Sequence, residues 1–389
     1  KSRQMIRKAI RKNPEAVVCA VGCYSQVAPE DIEQIEGIGV VLGTQYRKEI
    51  VDLVEEYQKT NQKIVKVDSV KNLRKFEDLN IDRFKNTRAF LKIQDGCNNF
   101  CTYCIIPYAR GRVRSRKPES VLKQAELLVS RGYVEIVLTG IHITSYGKDF
   151  KNNYSLIDLL EEIQPIKGIQ RVRLGSIEPT LITEEFVERL KKLSKVCDHF
   201  HLSLQSGCDA TLKRMNRRYT TAEFKKCTQL LRKAYPNVCL TTDIIVGFPG
   251  ETEDEFNETY SFLKKIAFYK MHIFKYSPRK GTKAAAMTDQ IEGHIKEERS
   301  KKLIQLSNEN EQKYNATYMG KTVQVLLEDE LHQEADKQFL KGHTTNYMVI
   351  KIEVEKNKIA ELAGTMQPVK IMKSEGLELV GELDNVAKT

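Results

Sequence analysis

The stretch Cys97-Asn98-Asn99-Phe100-Cys101-Thr102-Tyr103-Cys104 carries three cysteines at C-x3-C-x2-C spacing, directly after a strand-like run that ends in Asp95-Gly96. Three thiols that one loop can bring together can bind three corners of a metal cluster. A structural zinc site needs four ligands, and the closest further candidate by sequence, His142, lies a whole βα unit away. The spacing therefore favours an iron–sulfur cluster with one open corner over zinc or over three unligated cysteines.

Strand and helix patterns alternate in six rounds between Thr87 and about Tyr276. The apolar strand-like runs are Ala89–Ile93, Glu135–Leu138, Arg171–Leu174, Phe200–Leu204, Leu240–Val246 and His272–Tyr276. Helical patterns such as Ser120–Ser130 and Ala222–Lys233 separate them. Repeated βα units predict a parallel sheet with helices outside, either open or closed into a barrel. Functional groups are then expected at the carboxyl ends of the strands.

The segments on either side of this array have different patterns. Residues 1–58 read as half of a small α/β unit, in which Cys23 of Gly22-Cys23-Tyr24 directly follows a strand. Residues 59–86 are polar and weakly periodic, which predicts a linker. A charged helical connector covers about 290–315, and short β-rich runs in 318–385 predict a small β-barrel, with an OB-like barrel as one possibility.

Composition limits the classes of protein. A chain of 389 residues and 44.7 kDa is long enough for two or three domains. Its nine unevenly clustered cysteines favour reduced thiols and metal ligation in the cytoplasm over a disulfide framework. The net charge of +11 indicates either a polyanionic partner such as nucleic acid or a lysine-rich solvated surface. No run approaches the ~20 apolar residues of a membrane span. The chain opens at Lys1 within a helical pattern, so we expect it to lack its true N-terminus.

The sequence CNNFCTYC resembles the radical S-adenosylmethionine (SAM) signature, and the following Ile105–Gly111 resembles its continuation in methylthiotransferases. The resemblance covers nearly the whole chain. It implies an α/β fold whose core at 87–315 is a six-unit partial (βα) barrel. It also implies a truncated α/β methylthiotransferase domain at 1–58, a linker at 59–86 and an all-β TRAM barrel at 318–385.

The resemblance also implies cofactors and the residues that hold them. Cys97, Cys101 and Cys104 would bind a 4Fe-4S cluster whose open iron is chelated by SAM. Cys23 would bind a second, auxiliary 4Fe-4S cluster, whose other two ligands would lie before Lys1; we therefore expect that this chain does not assemble the auxiliary cluster properly. The residues that the resemblance implies for SAM binding are Tyr103, Thr139, Gly140, Ser176, Glu178, Gln205, Ser206, Gly247, Phe248, Gly250 and Glu251. Glu251 also fits an acidic residue at a helix N-terminus. Cysteines 19, 197, 208, 227 and 239 are expected to be structural.

The reaction that the resemblance implies begins with reductive cleavage of SAM, which needs an electron donor such as flavodoxin or ferredoxin. The resulting 5′-deoxyadenosyl radical would remove hydrogen from C2 of an adenosine in tRNA, the auxiliary cluster would supply sulfur, and a second SAM would supply the methyl group. Known classes modify a ribosomal-protein aspartate, isopentenyladenosine or N6-threonylcarbamoyladenosine. The stretches 97–101, 138–142, 212–216 and 1–4 are most similar to the threonylcarbamoyladenosine class. The alternatives are the isopentenyladenosine class and a truncated, non-catalytic Fe-S or RNA-binding fragment.

Basic residues near the cysteines predict where RNA binds. From Tyr318 to Thr389 the chain has nine Lys and Arg against twelve Asp and Glu, so the β-rich segment does not supply the positive charge. We therefore expect the core to share in holding RNA phosphates. The candidate contacts are Arg112, Arg114, Arg116, Arg214, Arg217 and Arg218. The alternative is that these arginines lie in a solvated or SAM-facing loop.

Overall fold

The structure, a computed structural model, describes residues 2–79, 87–334 and 337–384. Part of the predicted linker, residues 80–86, lies outside the described residues, as do residues 335, 336 and 385 of the predicted β-barrel. None of the helices in the described ranges has the length and apolar character that a membrane span requires.

A three-stranded parallel sheet forms the first part of the chain. Its strands are β1 (Val18–Val21), β2 (Ile38–Leu42) and β3 (Ile64–Lys66), in that order. The helices around it are α1 (Ser2–Lys12), α2 (Cys23–Val27), α3 (Pro29–Glu33) and α4 (Ile50–Thr60). Strand β3 pairs with β2 inside the interval that was predicted as a linker. The linker prediction is therefore wrong for residues 64–66, where apolar side chains extend the sheet.

Six parallel strands form the sheet of the core, and they are arranged in two groups of three. The first group is β4 (Ala89–Asp95), β6 (Glu135–Gly140) and β7 (Arg171–Leu174), and the second is β8 (His199–Gln205), β9 (Cys239–Val246) and β10 (Lys270–Lys275). Bridges from Val172 to Val196 and from Ile177 to Leu202 connect β7 to the second group. In the described residues no pairing joins β4 to β10, so the array is a partial barrel with an open side. A short strand β5 (Arg114–Ser115) runs antiparallel to the end of β4.

Helices cover the outside of this partial barrel. They are α5 (Ile106–Arg110), α6 (Pro118–Ser130), α7 (Leu156–Ile163), α8 (Glu184–Leu190), α9 (Asp209–Arg214), α10 (Thr221–Ala234), α11 (Glu253–Ile266) and α12 (Gly293–Ala316). Alternate residues of β4, such as Leu91 and Ile93, are buried in one large apolar core with residues of α6 such as Val121 and Leu128. Because the strands are parallel, their carboxyl ends meet at one rim of the barrel, and this rim carries the cysteine loop.

The last part of the chain is a closed five-stranded barrel. Its strands follow the order β11 (Thr322–Glu334), β12 (Lys337–His343), β13 (Val349–Glu353), β15 (Glu378–Leu383) and β14 (Met366–Glu375), with the short helix α13 (Ile359–Leu362) between β13 and β14. It docks through Arg171 and Arg173 of β7, which donate hydrogen bonds to backbone carbonyls of Gln324, His343, Thr344 and Thr345. The predicted small β-barrel is present, and its attachment to β7 is a feature that local sequence patterns do not reveal.

Candidate functional site

The cysteine loop leaves β4 through a turn that only glycine fits. Gly96 has a φ of 73°, and a Cβ at this position would lie 1.9 Å from the carbonyl oxygen of Arg112. The backbone N–H of Cys97 donates to the carbonyl oxygen of Gly111 at 3.1 Å. The loop therefore folds back onto the segment that follows it, and the first thiol has a fixed position at the rim.

Two further segments of the barrel hold the middle of this loop. The backbone N–H of Thr102 donates to Met215 O at 3.1 Å, and its hydroxyl donates to Arg214 O at 2.9 Å. The N–H of Ala284 donates to Thr102 O at 2.9 Å. Residues that follow β8 and β10 thus clamp a loop that follows β4. Distant parts of the chain therefore fix Thr102, which lies between Cys101 and Cys104.

The three thiols are free, half-buried and close enough to influence one another. Burial, with the neighbouring Cys101 and Cys104, raises the pKa of Cys97 to about 11. A bound metal centre would offset this effect of burial, because metal binding favours deprotonated thiols, and three soft sulfurs on one loop fit an iron–sulfur cluster. Across the described ranges no three His, Cys, Asp or Glu side chains converge on a single metal ion. A cubane cluster does not require that convergence, because each thiolate binds a different iron.

N–H groups point at two of the sulfurs. The backbone N–H of Asn99 lies 3.5 Å from Cys97 Sγ, and Arg217 Nη1 lies 3.4 Å from Cys101 Sγ. Such donors would withdraw electron density from the sulfurs of a bound cluster. The sequence pattern indicated the three ligands, whereas these donors depend on the folded loop.

A buried carboxylate lies beside the cysteine loop at the end of β7. Glu178 accepts a hydrogen bond from Asn99 Nδ2 at 2.9 Å, pairs with Arg217 Nη2 at 3.0 Å and lies 3.0 Å from His142 Nε2. Burial by itself would raise the pKa of Glu178, but His142 and the charge of Arg217 lower it to about 2. The carboxylate is therefore ionised at neutral pH and ties three strand ends to the loop.

Arg217 belongs to this network and is not exposed. Only 6% of its side chain is accessible, and it also donates to Tyr219 Oη at 2.8 Å and to Ser203 O at 3.1 Å. The prediction that Arg217 contacts RNA is therefore wrong, because all of its contacts lie inside the barrel. Sequence reasoning also missed Asn99 and His142, although both stand at strand ends where functional side chains were expected.

Tyr103 and Phe248, both predicted at the adenine side of SAM, lie together. Their rings meet edge to face with centroids 6.3 Å apart, and Phe248 in turn packs against Tyr276. Phe248 is fully buried and its ring packs against that of Tyr103, and their predicted role at SAM remains a proposal. The segment after β9 and the cysteine loop thus form one aromatic cluster at the rim.

The other predicted residues at the ends of β6, β7 and β8 are placed as follows. Thr139 and Gly140 end β6 next to β4, where a Cβ on Gly140 would lie 2.8 Å from Ile143 Cγ2 and 3.0 Å from Gln94 O. Ser176 is exposed to a cavity of about 420 Å³ inside the barrel. Gln205 ends β8 with a φ of 75° and is buried. The strand ends therefore bring these residues to the expected rim.

Two predicted SAM ligands have side chains that are already engaged. The hydroxyl of Ser206 is buried, lies 3.2 Å from Thr259 Oγ1 and accepts the N–H of Cys208. The carboxylate of Glu251 is buried, accepts the N–H of Gly247 at 2.9 Å and pairs with Arg299 at 2.6 Å. Both side chains hold loops in shape, and their predicted contact with SAM remains a proposal.

The loop that Glu251 fixes contains two glycines with positive φ. Gly247 has a φ of 68°, and a Cβ there would lie 2.3 Å from Lys296 Cγ; Gly250 has a φ of 73°. The positive φ favours glycine at both positions, and at Gly247 the close approach of Lys296 on α12 adds to this preference. These glycines are explained by the fold, and their predicted role at SAM remains a proposal.

Most arginines predicted to contact RNA are engaged within the protein. Arg114 is buried and donates to Arg110 O and Arg112 O, and Arg116 is buried with an ion pair to Asp78 at 2.6 Å. Arg214 pairs with Glu255 of α11 and donates to Gly250 O. The prediction of RNA contact is therefore wrong for Arg114 and Arg116, because buried side chains cannot reach phosphates. Arg112 and Arg218 are exposed.

Cys23 lies against the same end of the core. Its sulfur accepts a hydrogen bond from Arg110 Nε at 3.1 Å, and Arg110 belongs to α5, directly after the cysteine loop. Thr44 Oγ1 also donates to Ala109 O at 3.1 Å. The first part of the chain therefore packs on α5 in a way that brings Cys23 to the rim that carries Cys97.

Comparison with known proteins agrees with this arrangement. The family model described as "Radical SAM superfamily" matches residues 91–263. The chain is 44% identical over 96% of its length to "Threonylcarbamoyladenosine tRNA methylthiotransferase MtaB" of Bacillus subtilis (strain 168) and covers 82% of that protein. It is 37% identical over 95% of its length to "tRNA-2-methylthio-N(6)-dimethylallyladenosine synthase" of Clostridium botulinum (strain Hall), with 82% of that protein covered.

A solved structure shares the fold. It is the radical S-adenosylmethionine methyltransferase TsrM from Kitasatospora setae with tryptophan substrate and the SAM analog aza-SAM bound. The TM-score is 0.53 at 18% identity, over 70% of this chain and 57% of that one. With the cysteine loop at the rim of a six-stranded partial barrel and with the identities to its relatives, this chain belongs to the radical SAM methylthiotransferases.

Proposed function

We propose that this protein is a tRNA-modifying radical SAM enzyme that adds a methylthio group to C2 of N6-threonylcarbamoyladenosine next to the anticodon. The observation that carries the proposal is the 44% identity, over 96% of the chain, to a protein named as a threonylcarbamoyladenosine tRNA methylthiotransferase. The three-thiol loop at the rim supplies the chemistry that such a reaction needs. The second candidate substrate is N6-isopentenyladenosine, favoured by the 37% identity to a dimethylallyladenosine synthase.

The thiols of Cys97, Cys101 and Cys104 would hold a 4Fe-4S cluster, and SAM would bind at its open iron. When bound, this cluster supplies the electron that cleaves SAM to a 5′-deoxyadenosyl radical. The protein's own residues position and shield the site: Gly96 sets the turn of the loop, and the Arg217 guanidinium lies 3.4 Å from Cys101 Sγ. A reducing donor such as flavodoxin or ferredoxin is proposed to supply the electron.

We propose the remaining SAM contacts because the residues concerned lie at the rim of the barrel. Tyr103 lies between two of the thiol-bearing residues, Thr139 and Gly140 end β6, and Ser176 and Glu178 follow β7. Glu178 orders the surroundings of the open corner through Asn99 and Arg217. Gln205, Gly247 and Gly250 would offer backbone groups at the ends of β8 and β9. Ordered groups of this kind hold a substrate in a reactive geometry and exclude water.

Cys23 is proposed as one ligand of an auxiliary 4Fe-4S cluster that supplies sulfur. The support is its position at the start of α2, where its sulfur lies 3.1 Å from Nε of Arg110. Arg110 belongs to α5, the helix that follows the cysteine loop. The guanidinium places a positive charge beside the sulfur that would bind iron. Residues 1–58, which carry β1 and β2, would then be the methylthiotransferase domain, joined to a core at 87–315.

The closed five-stranded barrel at 318–385 is proposed to be a TRAM domain that helps to hold tRNA. Arg112 and Arg218 are proposed as phosphate contacts on the core, because they are the two candidates that are exposed. Because the proposed substrate is a tRNA, we propose that the protein acts in the cytoplasm.

Purified, anaerobically reconstituted protein tests the choice of substrate. Two anticodon stem-loops that differ only in the modified adenosine, one threonylcarbamoylated and one isopentenylated, would be supplied with SAM and a reductant. We expect methylthio product on the threonylcarbamoyl RNA to form at least about 10-fold faster, because a site built for its polar groups discriminates against an apolar substituent. Product formation would be measured by mass spectrometry, with Cys97→Ala as the inactive control. Faster reaction of the isopentenyl RNA would select the second candidate.

A further inference from the structure

Three aromatic side chains stand out because they are exposed. Among all Phe and Tyr residues in the described ranges, only Phe100, Tyr108 and Phe274 are exposed, with 49%, 47% and 53% of their surface accessible. Phe100 and Tyr108 follow β4, and Phe274 lies at the end of β10. These are the two strands that border the open side of the barrel, so all three rings lie at its mouth. We call this set the aromatic rim.

The backbone around Phe100 is held firmly although its ring is open to water. Phe100 has a φ of 49°, which an aromatic residue adopts only when its surroundings enforce it. Asn216 Nδ2 enforces it by donating to the carbonyl oxygens of Asn99 and Phe100 at 3.3 and 3.1 Å. The ring also meets Tyr108 edge to face, with centroids 6.1 Å apart. A fixed aromatic pair in solvent is a preformed binding surface.

Phe274 faces the interior at the same mouth. Along β10, Met271 and Ile273 pack into the core, while His272 lines the cavity inside the barrel. Because side chains alternate along a strand, Phe274 lies on the same face as His272. The segment after it returns to the cysteine loop, where Ala284 N–H donates to Thr102 O. The aromatic rim therefore borders the entrance to the thiol site from both of its edges.

The surroundings of the aromatic rim are basic. Arg112 is exposed shortly after Tyr108, and Arg279 and Lys280 are exposed shortly after Phe274. Exposed aromatic rings interleaved with free cations are the pattern by which proteins hold unpaired nucleotides, since bases stack on the rings and phosphates meet the cations. The chain's net charge of +11 agrees with an anionic partner.

We propose that the aromatic rim binds unpaired bases of a single-stranded RNA loop by stacking, and so holds the anticodon loop at the entrance of the barrel. This inference rests on the proposed function and deepens it, because it names the part of the tRNA and the side chains that receive it. Stacking tolerates different bases, so the aromatic rim would hold the loop without reading its sequence.

The test measures binding of an anticodon stem-loop that carries 2-aminopurine beside the target adenosine. With reconstituted protein, Phe100→Ala and Tyr108→Ala are each expected to raise the Kd about 10-fold and to reduce the quenching of 2-aminopurine fluorescence, because one stacking contact is lost. Their salt dependence should match wild type, whereas Arg112→Glu should reduce the salt slope by about 1. Phe100→Tyr and Tyr108→Phe should bind as wild type does. Ile304→Ala, a control at 46% exposure on α12, should also leave the Kd unchanged.

Iron content of each variant shows whether the cysteine loop is intact. Tyr108 lies outside that loop. If Phe100→Ala loses iron, the Kd of Tyr108→Ala therefore decides whether the inference holds. Unchanged Kd and quenching in Tyr108→Ala would overturn the inference, and a raised KM for flavodoxin in the same variant would assign the aromatic rim to the electron donor instead. If wild type modifies the threonylcarbamoyl RNA while the alanine variants bind normally, only this inference fails. If wild type modifies neither RNA but the variants still weaken binding, the proposed reaction fails and the stacking surface stands.

Discussion

Cys97→Ala is expected to lose the iron of the cysteine loop and to reduce the formation of 5′-deoxyadenosine from SAM to background. The loop offers three thiols, and a cluster that keeps one iron open for SAM needs all three. The residue that replaces Cys97 would also leave the Asn99 N–H without its sulfur acceptor. The measurements are iron content and 5′-deoxyadenosine yield after anaerobic reconstitution and reduction.

Cys208→Ala is the matched control, because its thiol is buried at the start of α9 and takes no part in the loop. It should keep wild-type iron and SAM cleavage and cost about 1 kcal/mol of unfolding free energy from lost packing. Wild-type SAM cleavage by Cys97→Ala would contradict the assignment of the cluster to this loop.

Glu178→Gln is expected to reduce the free energy of unfolding by about 3 kcal/mol. The reason is that Arg217, with 6% of its side chain exposed, would lose its counter-charge while still buried beside Cys101. Because Asn99 also bonds to Glu178, the cysteine loop should loosen and SAM cleavage should fall with stability. Denaturant unfolding measures the change in the free energy of unfolding. Glu184→Gln is the control, since the Glu184–Lys226 pair is exposed and should contribute less than about 1 kcal/mol.

The difference in unfolding free energy between wild type and Glu178→Gln should depend on pH with a definite sign. Burial would raise the pKa of Glu178, but the hydrogen bond with His142 and the charge of Arg217 lower it from the ordinary 4.5 to about 2. A depressed pKa means that the stabilisation is complete above pH 4.5 and is lost as the pH falls towards 2. The difference between wild type and Glu178→Gln should therefore be constant from about pH 5 to 8 and shrink in acid. A difference that grows in acid would contradict the pairing.

The barrel could be predicted from sequence because its signals are local. Each core strand corresponds to a short strand-like run in the sequence, such as Arg171–Leu174, which the structure shows with the same bounds. Strand β3 was missed because only three residues, Ile64–Lys66, carry it within a polar stretch. Its pairing with β2 depends on the whole sheet, which a local pattern cannot indicate.

The candidate site could be predicted only in part, because some of its contacts form across the barrel and leave no local pattern in the sequence. Spacing alone indicated the thiol ligands, since they share one loop. Side chains that meet across the barrel have no such signature: Asn99 and Glu178 are 79 residues apart, and Arg110 and Cys23 are 87 apart. An arginine that pairs inside the barrel, as Arg217 does, looks the same in sequence as one that faces RNA. Position at a strand end was also not enough to predict the contacts of Ser206, because its hydroxyl is buried and accepts a hydrogen bond from within the protein.

The central claim is that this protein places a methylthio group on threonylcarbamoyladenosine in tRNA. Mass spectrometry of nucleosides from tRNA, taken from a host that lacks this modification and expresses the full-length gene, tests it most directly. We predict that 2-methylthio-N6-threonylcarbamoyladenosine appears with the wild-type gene and not with Cys97→Ala. Methylthiolated isopentenyladenosine in its place, or no methylthio nucleoside from a protein that holds its iron, would contradict the claim.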